Sequence, residues 1–234
     1  NAQIASSMLK YYYLSANIYY QQRAYSIFNQ LSNRKSSNGL FYHADKKREL
    51  FSLKDQIAMA ELLIECIKNE AEHDNEYTLA LNELLQSIEE NYLLKNGSAV
   101  SFVGNNGIPA QPLIEENTQL GRIFNWYALF SKENKYKDLA QNILNFLLQD
   151  ESMDIYYNEP GVLMLAHEIE KSGFDYVEMK DQNSELLREV KAYAPFNACF
   201  YSYKKSELPD NKKELFEGFK STVILACTDS YCSA

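Results

Sequence analysis

The chain reads as a mainly α-helical fold made of α/α-hairpins, followed by a small C-terminal α/β unit, and three observations predict this. First, Asn1-Ala2-Gln3-Ile4-Ala5 returns as Asn117-Thr118-Gln119-Leu120-Gly121, an offset of 116 residues. The offset persists: Ser15 falls on Ser131, Tyr20 on Tyr136, Ala24 on Ala140, Ile27 on Ile143 and Leu31 on Leu147. A looser third version, Asp55-Gln56-Ile57-Ala58, opens another apolar helical pattern between them. Second, each unit of about 55 to 60 residues holds two helical patterns, and such a unit buries its apolar face only against its neighbours. Third, after Ser172-Gly173 the pattern changes to strands alternating with short helices, the signature of an α/β unit.

The elements follow in order. Ile4, Met8, Tyr11, Tyr12 and Leu14 mark a helix over 1–17, and Ala24, Ile27, Phe28 and Leu31 mark a second over 20–32. The polar cluster Ser32 to Gly39 stops it, Leu40-Phe41-Tyr42-His43 is a short extended piece, and Ala44 to Arg48 is polar loop. The second hairpin covers 51–69 and 75–94 and closes on Asn96-Gly97. No proline interrupts the first 108 residues, as long helices require. Residues 97–114, with Gly104-Asn105-Asn106-Gly107, Pro109 and Pro112, form the longest irregular stretch; loops of this length are more often functional than idle. The third hairpin covers 115–132 and 135–149, and Pro160 suits the first turn of a helix running to Lys171. Strands are expected at 174–179, 198–203 and 221–227, with helices at 183–193 and 210–218 between them. The expected division is therefore a helical domain over 1–172 and an α/β unit over 173–234.

Composition narrows the function classes. A net charge of −9, from 23 basic and 32 acidic residues, argues against a nucleic-acid footprint, which needs a clustered basic face. No apolar run approaches a membrane span, and no secretory signal stands at the start. Four cysteines in 234 residues are too few for a disulfide scaffold. A cytoplasmic protein is expected, with a processed or secreted form as the alternative. Cys66 reads as a small buried hydrophobe.

In this register the pieces resemble a known family, the C-terminal region of thioredoxin-domain-containing proteins related to spermatogenesis-associated protein 20. The features that carry the resemblance are Asn1-Ala2-Gln3-Ile4 followed by Ser7-Met8-Leu9, Asn38-Gly39-Leu40-Phe41-Tyr42, Asp55-Gln56-Ile57-Ala58, Asn117-Thr118, and the closing Val223 to Cys232 with its Cys-x4-Cys pair. The resemblance implies a six-hairpin α/α toroid similar to that of N-acylglucosamine 2-epimerases and six-hairpin glycosidases, of which three hairpins are present here. Pro112 to Thr118 departs from the family's Pro-Ser-Gly-Asn-Ser turn, and no thioredoxin-like Cys-x-x-Cys occurs.

In toroids of this class a polar, aromatic-lined cavity binds sugars. Here the inner helices would bring Gln3, Asp55, Gln56, Asn117 and Gln119 to one end, with Tyr42 and Trp126 as aromatic faces. A plainer reading makes Asn117 and Asp55 helix caps and the glutamines links between hairpins, and it accounts for more of these residues. An epimerase needs a base near neutral pKa, for which His43 and His167 are candidates; His73 sits in a polar turn. A glycosidase needs two opposed carboxylates, drawn from Asp55, Glu115 and Glu116, though the last two also suit a first helical turn. Part of the run Tyr11-Tyr12-Tyr13 must meet a cavity or a partner, since not all three can face inward.

Cys227 and Cys232 are expected as reduced structural thiols at the end of a buried strand, with a redox-active pair as the second reading. No further ligand pair is spaced to complete a zinc site, so neither metal nor cofactor is expected. A sugar or sugar derivative is the expected ligand. Three hairpins also leave terminal helix faces bare, which predicts self-association or packing against other parts of a longer protein. Two functions stay open: an epimerase- or isomerase-like sugar enzyme, active or vestigial, and a non-catalytic interaction module.

Overall fold

A computed structural model describes residues 1–43, 50–70, 76–104, 110–149, 160–171, 173–180, 185–228 and 231–234. The hairpins are α1 (Ala2–Ser15) with α2 (Ile18–Ser32), α3 (Leu53–Glu70) with α4 (Glu76–Tyr92), and α5 (Ile114–Ser131) with α6 (Asn134–Leu147). A further helix, α7 (Pro160–Glu170), packs on α5 and α6. The repeat extends to the corners. Ala16 and Lys132, one period apart, are the two non-glycine residues with positive φ among the described residues, at 55° and 62°. Each reverses the chain after an inner helix, and Asn17 then caps α2 by accepting the Tyr19 N–H at 3.1 Å.

The inner helices α1, α3 and α5 run parallel, side by side. Lys10 pairs with Glu65 and the Tyr13 hydroxyl donates to the Glu65 carbonyl, while further along Lys68 lies over the Trp126 ring. Central α3 has neighbours on both flanks, and twelve of its 18 residues are buried as a result. Helix boundaries lie within about two residues of those the periodicity predicts. The main differences are two three-residue strands, β1 (Leu50–Ser52) and β2 (Phe102–Gly104), paired antiparallel where a helix start and an irregular loop were expected. Three residues are too few to show an alternating pattern. Most of the Gly104–Pro109 loop, the Ala44–Arg48 loop and His73 lie outside the described residues.

Between hairpins the chain makes the same turn twice. In Asn38-Gly39 and Asn96-Gly97 the glycines take φ of +83° and +87°, a conformation that costs other residues a steric clash. Isolated bridges follow, Lys35 with Phe41 and Leu93 with Ala99. An amide side chain from the first turn of the next inner helix then grips the bridge residue. Gln56 Oε1 accepts the Phe41 N–H at 2.8 Å, and its Nε2 donates to the carbonyls of Phe41 at 3.0 Å and Ser52 at 3.1 Å. Asn117 does the same to Ala99, at 2.6 and 2.9 Å, and to Leu113 at 2.8 Å. Both amides are fully buried, so these bonds satisfy backbone groups that water cannot reach.

The α/β unit contains β3 (Phe174–Lys180), α8 (Leu186–Tyr193), β4 (Ala198–Lys204), a short α9 (Asp210–Lys213), β5 (Val223–Cys227) and β6 (Cys232–Ser233). The sheet order is β4-β3-β5-β6; β3 and β4 are parallel, as a βαβ crossover requires, and the other pairs are antiparallel. The helix expected over 210–218 is only a four-residue turn of α-helix followed by a 3₁₀ turn over Glu214–Phe216. This unit docks on the inner helices. The Trp126 indole N–H donates to the Ala198 carbonyl at 3.0 Å, and Lys68 Nζ donates to the Phe196 carbonyl at 2.8 Å. At Gly173 a Cβ would come within 2.5 Å of both the Asn197 carbonyl oxygen and a Leu129 methyl, so only glycine permits this approach. The C-terminal ends of the inner helices are therefore covered by the chain's own tail.

Cys227 and Cys232 form a disulfide, against the expectation of reduced thiols. The antiparallel register of β5 and β6 sets the two residues directly opposite, with Cα atoms 4.0 Å apart, a closeness that strand length alone does not reveal. The loop it closes is short, so its reduction is expected to cost at most about 2 kcal/mol. Thermal melting with and without dithiothreitol checks this.

Candidate functional site

Because α1 and α3 run parallel and adjacent, their first turns meet at one end of the array. A cavity of about 290 Å³ opens there. Gln3 lines it from α1, Arg34 from the residues after α2, and Lys54 and Asp55 from α3. Tyr42 and His43 complete it from the extended segment that Gln56 holds at Phe41. Tyr42 is fixed further by its N–H, which donates to the Arg34 carbonyl at 3.1 Å, and by its ring, 5.0 Å from that of Phe51.

Within the cavity His43 Nδ1 lies 2.8 Å from Asp55 Oδ2. The His43 side chain is 75% exposed and that of Asp55 30%, so the imidazole sits at the mouth and the carboxylate on the wall. With Nδ1–H donated to the carboxylate, Nε2 is left as the acceptor, the tautomer a general base requires. Arg34 and Lys54 add positive charge, and two helix N-termini point the same way, so the cavity favours oxygen-rich or anionic groups.

The next inner helix brings Glu116 alongside. It is 7% exposed, and its Oε2 has no hydrogen-bond partner. Burial pushes its carboxyl up from the usual carboxylate range; Lys54 pulls it down, and Glu115 and Asp55 push it up again. A first-turn glutamate at a helix N-terminus gives no sign in sequence that it is buried.

Of the residues singled out from the sequence, the structure gathers Gln3, Tyr42, His43 and Asp55 around this one cavity. Gln56 and Asn117 lie beneath the surface with their amides taken up by backbone. Asn117 is not the cap of α5, which begins at Ile114 with Leu113 as N-cap, and Asp55 lies inside the first turn of α3. Gln119 is half-buried on α5 and outside the cavity lining. Trp126 is fully buried and stacks on Phe130 at 5.1 Å. His167 is exposed in the last turn of α7, away from His43. Arg34 and Lys54 line the cavity without being candidates from the sequence: Arg34 lies in the turn cluster and Lys54 beside Asp55. Neither shows by its type that it faces a cavity.

Stacked hairpins with a polar cavity at the N-terminal ends of parallel inner helices define a segment of an α/α toroid. No protein-family model matches the chain, and no curated protein matches its sequence. Among solved structures it is similar to a family 76 glycoside hydrolase from a bovine Bacteroides thetaiotaomicron strain, with a TM-score of 0.53 and 13% identity over 62% of this chain and 33% of that one. It is equally similar to a family 76 glycoside hydrolase (mannosidase) from Bacteroides thetaiotaomicron VPI-5482, with the same TM-score and identity over 62% of this chain and 42% of that one. The chain thus spans less than half the length of either. At this identity the likeness is one of fold. No described helix is long and apolar enough to cross a membrane.

Proposed function

We propose that the cavity at the first turns of α1 and α3 binds a sugar or sugar derivative, and that His43, oriented by Asp55, moves a proton on it in an epimerase- or isomerase-like reaction. The observation that carries this reading is the 2.8 Å His43–Asp55 contact inside a cavity that also presents Gln3, Tyr42, Arg34 and Lys54. Amide and guanidinium groups suit sugar hydroxyls, and the Tyr42 ring suits the apolar face of a sugar. The fold likeness to two glycoside hydrolases supports the ligand class. It does not favour their reaction, because Asp55 is the single carboxylate among the described lining residues and glycoside hydrolysis takes two. In the same reading the chain belongs to the C-terminal region of a thioredoxin-domain-containing protein, on the resemblance set out above.

The test is a panel of mannose, glucose, fructose, N-acetylmannosamine and their phosphates, read by thermal shift and by deuterium exchange into the sugar beside its carbonyl. At least one member is expected to raise the melting temperature. His43→Gln is expected to slow exchange by about a hundredfold or more while binding persists. A panel with no shift and no exchange overturns the proposal. Binding without exchange leaves the sugar site but removes the catalysis, which is the outcome for a non-catalytic module.

A further inference from the structure

A second cavity, also about 290 Å³, lies at the opposite end of the inner helices, where α1 and α3 meet α8 and the segment leading into β4. It is separate from the sugar cavity and shares no residue with it. Its walls are of two kinds. Tyr13, Pro195, Phe196 and Phe200 supply apolar, largely aromatic surface, and Lys10, Lys68, Lys191 and Glu65 supply charge. Lys10 pairs with Glu65 at 3.8 Å, which leaves two ammonium groups over.

Those two are held mainly by neutral partners. Lys68 is 6% exposed; its Nζ donates to the Phe196 carbonyl and lies 5.0 Å from the Phe196 ring centre and 5.8 Å from that of Trp126. Lys191 donates to the Asn69 carbonyl at 2.9 Å and lies between the rings of Tyr13 and Phe200, at 5.9 and 5.7 Å. No described carboxylate forms an ion pair with either; Glu65 acts on both from farther off, and Glu178 and Glu70 act on Lys191. Burial lowers both lysines from their ordinary value, Lys191 to about 8. Removing a cation from water without an anion in contact is costly, and an anion entering the cavity would offset that cost.

We propose that this cavity binds a small organic carboxylate, its charge between Lys68 and Lys191 and its ring or chain against Phe196 and Phe200. A monoanion with an apolar body matches both walls. Inorganic phosphate matches only the charged one, and its heavy hydration and double charge fit poorly beside Glu65. Since the ligand would touch α1 and α3 on one side and α8 on the other, its binding would also fasten the tail to the helices.

Trp126 is the single tryptophan of the chain and lies under Lys68, so its fluorescence reports on occupancy through that lysine. The probes are benzoate, its neutral isostere benzamide, and phosphate, at matched ionic strength and millimolar concentration. Benzoate is expected to change the Trp126 emission saturably and raise the melting temperature; benzamide and phosphate are expected to do neither. Lys68→Met and Lys191→Met are each expected to weaken benzoate by about tenfold or more, the loss of a charge-assisted hydrogen bond. If one variant fails to fold, the other decides. No saturable response to benzoate, an equal response to benzamide, or full binding in a folded lysine variant each overturns the proposal; a phosphate response stronger than that of benzoate overturns the ligand class.

Discussion

Replacing Gln56 by leucine is expected to lower the free energy of unfolding by about 4 kcal/mol. Leucine fills nearly the same space, so the loss comes from polar groups rather than a cavity. Three hydrogen bonds disappear, and the Phe41 N–H and carbonyl, which bond to the buried amide, are left without their partner. Each buried group stranded in this way costs about 1–3 kcal/mol. Asn117→Leu is expected to cost a similar amount through Ala99. The two variants part company at the cavity proposed to bind a sugar. Gln56 holds the segment carrying Tyr42 and His43, whereas Asn117 holds Ala99, which does not line that cavity. On the proposed sugar binding, Gln56→Leu should therefore abolish the ligand-induced stabilisation and Asn117→Leu should leave it. Urea unfolding of both, with and without ligand, measures this; a loss below about 1 kcal/mol in either would remove the clamp as an organising device.

The clamp also shows what the sequence could disclose. The repeat was legible because inner helices open alike, Asn1-Ala2-Gln3-Ile4-Ala5 and Asn117-Thr118-Gln119-Leu120-Gly121, each ending on a small residue. At Gly121 a Cβ would come within 2.7 Å of Leu165, which explains the constraint there. What the amide does could not be read, because an Asn or Gln opening a helix looks the same whether it caps, binds a sugar or grips a neighbouring turn. His43 and Asp55 were legible as chemically able residues, but their meeting depends on the close approach of α3 to a segment twelve residues earlier. The docking of the tail on α1 and α3 had no sequence signal at all. Lys68 and Lys191 look like ordinary helix-surface lysines until β4 and α8 are folded over them.

The largest response to solution conditions should be alkaline unfolding. Burial raises the phenols of Tyr13, Tyr92, Tyr136 and Tyr201 well above the ordinary value of 10.0, and that of Tyr127 to about 12; all five are at most 4% exposed. Burial likewise pushes the Cys199 thiol up to about 12 and the Cys66 thiol upward from 9.0. A group whose pKa is raised by folding keeps its proton in the native state after the unfolded chain has released it. Its stabilising contribution is complete below the unfolded pKa and is lost as pH climbs toward the folded one. Lys68 and Lys191 work in the opposite sense: lowered by burial, Lys191 to about 8, they add stability as pH rises toward their ordinary 10.5, and two such groups cannot offset the rest. Each buried phenol approaches about 1.4 kcal/mol of loss per pH unit above 10, so five together remove about 7 kcal/mol per unit. That is the size of a whole domain's stability. The fold is expected to hold to about pH 10 and to unfold cooperatively about one unit higher. Tyrosinate absorbance should then rise in a step that coincides with the loss of helical circular dichroism. A gradual rise that spans all 18 tyrosines while the helices persist would mean that these phenols are not sealed in the core.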